Sequence, residues 1–183
     1  MMTKLMQRGA QAATVIMLAV ALAACGTVRQ SGAPALSGSD QIVLATMANF
    51  TETPDAGHSA ESITANALRA SGIDVRLAPV ATGNGSASAL FTASARADVE
   101  RTMTWARTQK ARYVLSGAVE EWRYKTGVDG EPVVGVTYEL TDVDSGKVVW
   151  SATGTKSGFS RSSLSTVATR LIFKTLAPLA RQR

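Results

Sequence analysis

Hydrophobic and polar positions alternate most regularly between Tyr113 and Gly158, YVLSGAVEEWRYKTGVDGEPVVGVTYELTDVDSGKVVWSATGTKSG. In the middle of this stretch Val134, Val136, Tyr138 and Leu140 fall on one side of an extended chain. Gly135, Thr137, Glu139 and Thr141 fall on the other. Period-two alternation bounded by Gly127-Val128-Asp129-Gly130 and Asp144-Ser145-Gly146 predicts three strands, roughly 113–125, 132–143 and 147–155, joined by two tight turns. The remaining periodic segments read as packing around this meander. Gln41–Ala48 is a continuous apolar run, the pattern of a strand buried on both faces. Asn49–Gly57 reads as a loop. Ser59 opens a helix whose apolar stripe is Ala60, Ile63, Ala67 and Leu68, with Ser62 and Thr64 on its polar side, and Ser71-Gly72 ends it. Ile73–Pro79 is a short strand placed near an edge by its proline. Val80–Thr92 is a loop of small residues. Ser94–Lys110 is a helix with Ala97, Met103 and Trp105-Ala106 inward, and Ser162–Ala180 is a second, more apolar one. In that last helix Leu164, Val167, Ala168, Leu171 and Ile172 share a face, Thr175 is its polar member, and Pro178 is expected to break it.

The order β-α-β-α-β-β-β-α predicts a single α/β domain of the α+β type, a mixed and mostly antiparallel sheet flanked by helices. Its boundaries come from the N-terminal segment. Met1–Gln11 holds Lys4 and Arg8 and no acid, and Ala12–Leu22 is an uncharged apolar run too short to span a bilayer comfortably. Leu22-Ala23-Ala24-Cys25 closes it with small residues, the form of a secretory signal, and resembles a bacterial lipobox. Residues 1–24 are therefore read as a lipoprotein signal peptide. Cys25 becomes the first residue and carries the lipid, which is the only covalent group expected; no cofactor is. Cys25 is the one cysteine of the chain, so no disulfide within the chain competes for it. Gly26 follows it where signals for inner-membrane retention usually have Asp, which favours the outer membrane. Residues 25–39, small, polar and broken by Pro34, read as a flexible lipidated tether, and residues 40–183 as the periplasmic domain.

Charge changes this picture little. The chain carries +5. Without Lys4 and Arg8 there remain 17 basic and 14 acidic residues, a balance that does not point to nucleic acid. Candidate chemistry is sparse. His58 is the sole histidine, no G-x-S-x-G elbow is present, and no His/Cys/carboxylate spacing suits zinc. Adjacent strand residues face opposite ways, so Glu120 and Glu121 are expected on opposite faces of the sheet, unable to act as a pair. The expectation is a protein that is not an enzyme, without a catalytic or metal site. What remains is a segregation of charge. Five acids and no base lie between Val128 and Gly146, while bases gather at 96–112 and 161–183. Trp150, beside Val148-Val149, suits either the core or a membrane interface.

Three stretches carry a resemblance: GAVEEWRYKTGVDGEP (Gly117–Pro132), the L-x-D-V-x-S-G-K-V-x-W-S-A-x-G run (Leu140–Gly154), and SGFSRSSLS before the last helix. With the lipobox they make the chain resemble the PelC family, outer-membrane lipoproteins of Pel exopolysaccharide secretion. More distantly the layout is similar to curli-secretion and penicillin-binding-protein-activator lipoproteins. The PelC resemblance implies a homo-oligomer, a dodecameric ring beneath the outer membrane next to the β-barrel exporter PelB. It also implies an electronegative lumen that guides a cationic aminosugar polysaccharide. No motif identifies the lumen acids; charge segregation suggests Asp129, Glu131, Asp142 and Asp144. Trp150 is taken as the membrane-facing aromatic. The competing expectation is a monomeric lipoprotein that activates a periplasmic cell-wall synthase.

Overall fold

The computed structural model describes residues 26–37, 39–79, 91–127 and 130–180, with only the backbone of 91–97. The signal segment 1–24, Cys25 and Asp129 lie outside the described residues. The elements are β1 (Gly26–Gln30), β2 (Gln41–Leu44), β3 (Ala48–Asn49), α1 (Ala56–Ala70), β4 (Asp74–Leu77), α2 (Phe91–Thr108), β5 (Tyr113–Tyr124), β6 (Pro132–Asp142), β7 (Val148–Ser157) and α3 (Leu164–Ala180).

All seven strands join one mixed sheet in the order β1-β7-β6-β5-β2-β4, with β3 pairing β5 outside that path. The half made of β1, β7, β6 and β5 is antiparallel. β2 pairs in parallel with both β4 and β5. The chemistry of each half follows its surroundings. Ile42, Val43 and Leu44 of β2 are fully buried because helices cover both faces there. The meander strands alternate because only one of their faces is clad. On that face Leu115, Val119, Trp122, Val134, Val136, Tyr138, Leu140, Trp150 and Ala152 meet α1 and α3 in the main core. On the other face α2 reaches only a smaller cluster, Met103 and Ala106 over Val43, Ala78, Val114 and Val143.

α3 presses closely on β7, and this contact dictates a residue. A Cβ at Gly154 would come within 2.7 Å of Thr175 Oγ1 and 3.0 Å of Leu171 Cδ1, so only glycine admits the helix at this depth. Thr175 is fully buried and donates to Leu171 O at 2.9 Å, which satisfies the one polar side chain on that helical face.

The expected strand–helix alternation stands, with four differences in detail. Residues 26–30 are a strand, not part of a flexible tether: β1 pairs with β7 from Gly26↔Lys156 to Gln30↔Ala152. Beyond it Leu36 is buried in the main core, so this stretch is also held against the domain. Its small polar composition hid a strand whose only apolar anchor is Val28. The stretch read as the loop 49–57 begins in β3 and ends in α1, which starts at Ala56 after Asp55 takes a left-handed conformation. α2 begins at Phe91. α3 runs on to Ala180 with Pro178 in its last turn, where few hydrogen bonds remain for a proline to disrupt.

Candidate functional site

The residues suggested by charge segregation do not form one surface. Asp142 and Asp144 lie at the β6–β7 turn, whereas Glu131 precedes β6 at its opposite end, about 35 Å away at a strand rise of ~3.3 Å per residue. Two of the three described acids also have local tasks. Glu131 pairs with Lys125 at 3.1 Å across the foot of the β5–β6 hairpin. Asp142 Oδ1 accepts from Ser145 N and Ser145 Oγ, both at 2.8 Å, and its Oδ2 faces Arg112 Nε at 3.2 Å. The Ser145 donors first, and then Arg112, hold the Asp142 carboxyl below the usual carboxylate range, and the same contact raises Arg112. Asp142 therefore shapes the turn, with Gly146 supplying the positive φ of 66° that follows. Asp144 is exposed.

Trp150 is corrected by the fold. It is 1% exposed and faces α1 and α3 with the rest of the main core, so it is not the membrane-facing aromatic. Its alternation with exposed Ser151 and Thr153 puts it on the clad side of β7. Its indole Nε1 has no hydrogen-bond partner in the described structure. Trp122 is buried likewise, while Phe159 is 66% exposed.

An irregularity in the β5–β6 pairing creates the most distinctive surface. β5 carries a bulge between Val119 and Glu121: Val119 pairs with Val136, and Glu121 with the very next residue, Gly135. The extra residue breaks the alternation, as a bulge must. A Cβ built at Gly135 would meet Glu121 Cβ at 3.3 Å and Glu120 Cβ at 3.6 Å, so both glutamates flank one glycine on one face. That is the unclad face of the meander. Directly paired residues share a face, which brings Ser116 with Glu139, Ala118 with Thr137, Thr137 with Thr153, Glu139 with Ser151, and Thr155 with Thr27 onto it. Thr137 Oγ1 donates to Glu120 Oε1 at 3.1 Å, and Arg123 Nη2 to Glu121 Oε1 at 2.8 Å. The result is a hydroxyl-lined sheet surface with three carboxylates, Glu120, Glu121 and Glu139, and with Arg29 on its edge strand. Sequence periodicity missed it because a bulge leaves no mark in hydropathy. The one available sign was Gly135, a glycine inside a strand.

Nothing in this arrangement matches a reaction centre. His58 is exposed in the first turn of α1, and no group of three or more potential metal ligands occurs among the described residues. The described helices include none long and apolar enough to cross a membrane.

A mixed sheet with two helices over all of one face and one helix over part of the other defines the class: an α/β domain of the kind found in bacterial lipoproteins. Lipoprotein GNA1162 of Neisseria meningitidis shares the fold at 21% identity and a TM-score of 0.55, the match covering 78% of this chain and 99% of that one. Much nearer is a PelC from Paraburkholderia phytofirmans solved as a dodecamer, 61% identical with a TM-score of 0.71 over 84% of this chain and 96% of its own. A dodecamer of a single-substitution form of that protein is 62% identical over 84% and 97%, again with a TM-score of 0.71. The chain belongs to the PelC family. No protein-family profile matches it, and no curated protein does.

Proposed function

We propose that this chain is a non-enzymatic, lipid-anchored outer-membrane protein of Pel exopolysaccharide export. Copies of it form a dodecameric ring whose electronegative lumen guides a cationic aminosugar polymer to the β-barrel exporter PelB. The observation that carries this reading is the 61–62% identity to PelC dodecamers over 84% of the chain. The structure supports it with an open sheet surface bearing carboxylates and hydroxyls, the chemistry that attracts a cationic polyol without binding it tightly. The polymer-facing acids of this reading are Glu120 and Glu139. Asp142 and Glu131 are engaged in a turn and an ion pair, and Asp144 is the turn acid left to contribute.

Charge reversal tests this division. In cells that export the polymer, Glu120→Lys combined with Glu139→Lys should lower secreted polysaccharide several-fold while light scattering shows the assembly intact. Unchanged secretion, with loss on Asp144→Lys instead, returns the guiding role to the turn. Should neither variant alter secretion, the electrostatic reading fails altogether.

A further inference from the structure

The unclad face of the meander carries, at its β3 edge, an aromatic side chain that the sequence pattern assigns to a loop. β3 pairs with β5 in parallel, Ala48↔Ala118 and Asn49↔Val119. The ladder continues one step further, because Phe50 N donates to Val119 O at 2.9 Å. Phe50 therefore stands beside Glu120, and alternation from Ala48 puts its ring on the same unclad face. It is 55% exposed there. The loop behind it is tied down. Asn49 Nδ2 donates to Thr53 O at 2.9 Å, and Asn49 Oδ1 accepts from Thr51 N at 3.0 Å and from Thr51 Oγ1 at 2.8 Å. Thr53 Oγ1 donates to Trp122 O. We propose that Phe50 and Glu120 form a hexosamine subsite, the ring stacking on one sugar face while the carboxylate takes the sugar's ammonium. The proposal rests on the reading of the chain as a conduit for a cationic aminosugar polymer, and adds to it a contact that does not depend on net charge.

The two groups supply what a hexosamine requires. A pyranose is amphipathic: its ring C–H bonds make an apolar face, and its rim carries hydroxyls, joined by an ammonium where the acetyl group is absent. A phenyl ring on a fixed backbone covers the apolar face at little cost in conformational freedom, and its π-face attracts the cation as well. Glu120 accepts from Thr137 Oγ1 at 3.1 Å on Oε1, which orients the carboxylate and leaves its other lone pairs for a donor on the ligand. Glu121 is committed to Arg123 at 2.8 Å. Among the described residues Glu120 pairs with no base, so it is the carboxylate beside Phe50 that offers a full charge. Gly135 keeps the floor of the sheet bare next to it. A Cβ there would stand 3.3 Å from Glu121 Cβ and 3.6 Å from Glu120 Cβ, in the space that the sugar occupies. Beyond Gly135 the Thr155 hydroxyl continues the same row across the face. The loop itself, residues 49–55, holds Glu52 and Asp55 and no base, so it does not repel an ammonium.

The test titrates the full lipidated protein in detergent with two probes, a glucosamine hexamer and its fully N-acetylated counterpart, by calorimetry at low and at moderate salt. The glucosamine hexamer should bind the tighter. Phe50→Leu should weaken it about threefold to tenfold without changing its dependence on salt, and Phe50→Trp should restore it. Glu120→Gln should weaken binding and flatten the salt dependence, since salt screens the charge and not the stack. Full affinity in Phe50→Leu overturns the stack; if Glu120→Gln still loses affinity, the electrostatic guiding reading stands alone. Equal affinity for the two hexamers overturns the ammonium contact. Dissociation of the oligomer by Phe50→Leu also overturns the subsite, because the ring then belongs to a contact between copies. Binding of neither hexamer overturns it too, and the secretion assay of Glu120→Lys with Glu139→Lys then separates the two claims. Lowered secretion leaves the conduit standing without the subsite, and unchanged secretion removes both.

Discussion

Tyr138 and Thr64 illustrate how single residues hold this fold. Both are buried, and their hydroxyls lie 2.6 Å apart between β6 and α1. Burial pushes the Tyr138 phenol far above its ordinary value, the hydrogen bond with Thr64 opposing only part of that effect. The pair is therefore neutral, and its worth is that each hydroxyl answers the other. Removing Thr64 strands the phenol away from water, and removing the phenol leaves Thr64 only the weak acceptor Met47 Sδ at 3.7 Å. Tyr138→Phe and Thr64→Val should each destabilise the domain by ~1–3 kcal/mol. The double variant should cost clearly less than their sum, because no polar group is then left unpaired. Denaturant midpoints of the four proteins check this; strict additivity would show that the contact is incidental. At this scale the sequence was partly legible. The period of β6 put Tyr138 on the apolar side of its strand, but Thr64, expected on the polar side of α1, is fully buried because its hydroxyl meets a partner 74 residues away that no local pattern records.

At the scale of elements, β1 is the least expected and the most consequential. It covers the outer edge of β7, which would otherwise offer free N–H and C=O groups to any passing strand. Its attachment depends on five backbone pairings and one apolar side chain, Val28, which a Cβ at Gly154 would meet at 3.5 Å. Val28→Asp should detach it, since an unpaired carboxylate cannot be left against the core. Hydrogen exchange should then speed up at the β7 amides paired with β1, while the β6–β7 pairings stay protected. Equal protection in the variant and the unmodified chain would mean that β1 is held by its backbone alone. The bulge in β5 is the second such element. One extra residue turns two glutamates onto a common face, so the chemistry of the surface depends on register and not on composition.

At the scale of the molecule, the sheet has one face clad by α1 and α3 and another on which α2 reaches only part. Acids and bases are interleaved on the surface, Arg112 with Asp142, Arg123 with Glu121 and Lys125 with Glu131, so charge segregation along the sequence does not carry over to separate faces. Light scattering on the purified lipoprotein should return the mass of a large oligomer, with little single subunit across a dilution series. A single-subunit mass throughout would favour the monomeric synthase activator over a conduit. Resemblance made the family legible in the sequence, through the Gly117–Pro132, Leu140–Gly154 and pre-α3 stretches, and the 61–62% identity to PelC dodecamers agrees with it.

By itself the sequence determined the strand–helix order, the meander and its turns, the apolar faces of the helices, and the scarcity of reactive groups. These are written in periodicity and composition, which act over a few neighbouring residues. The tertiary structure alone decided that residues 26–30 close the sheet edge, that Trp150 belongs to the core, and that Glu120 and Glu121 share a face. Each of these depends on which distant strand lies alongside and in what register, and local hydropathy carries no record of that.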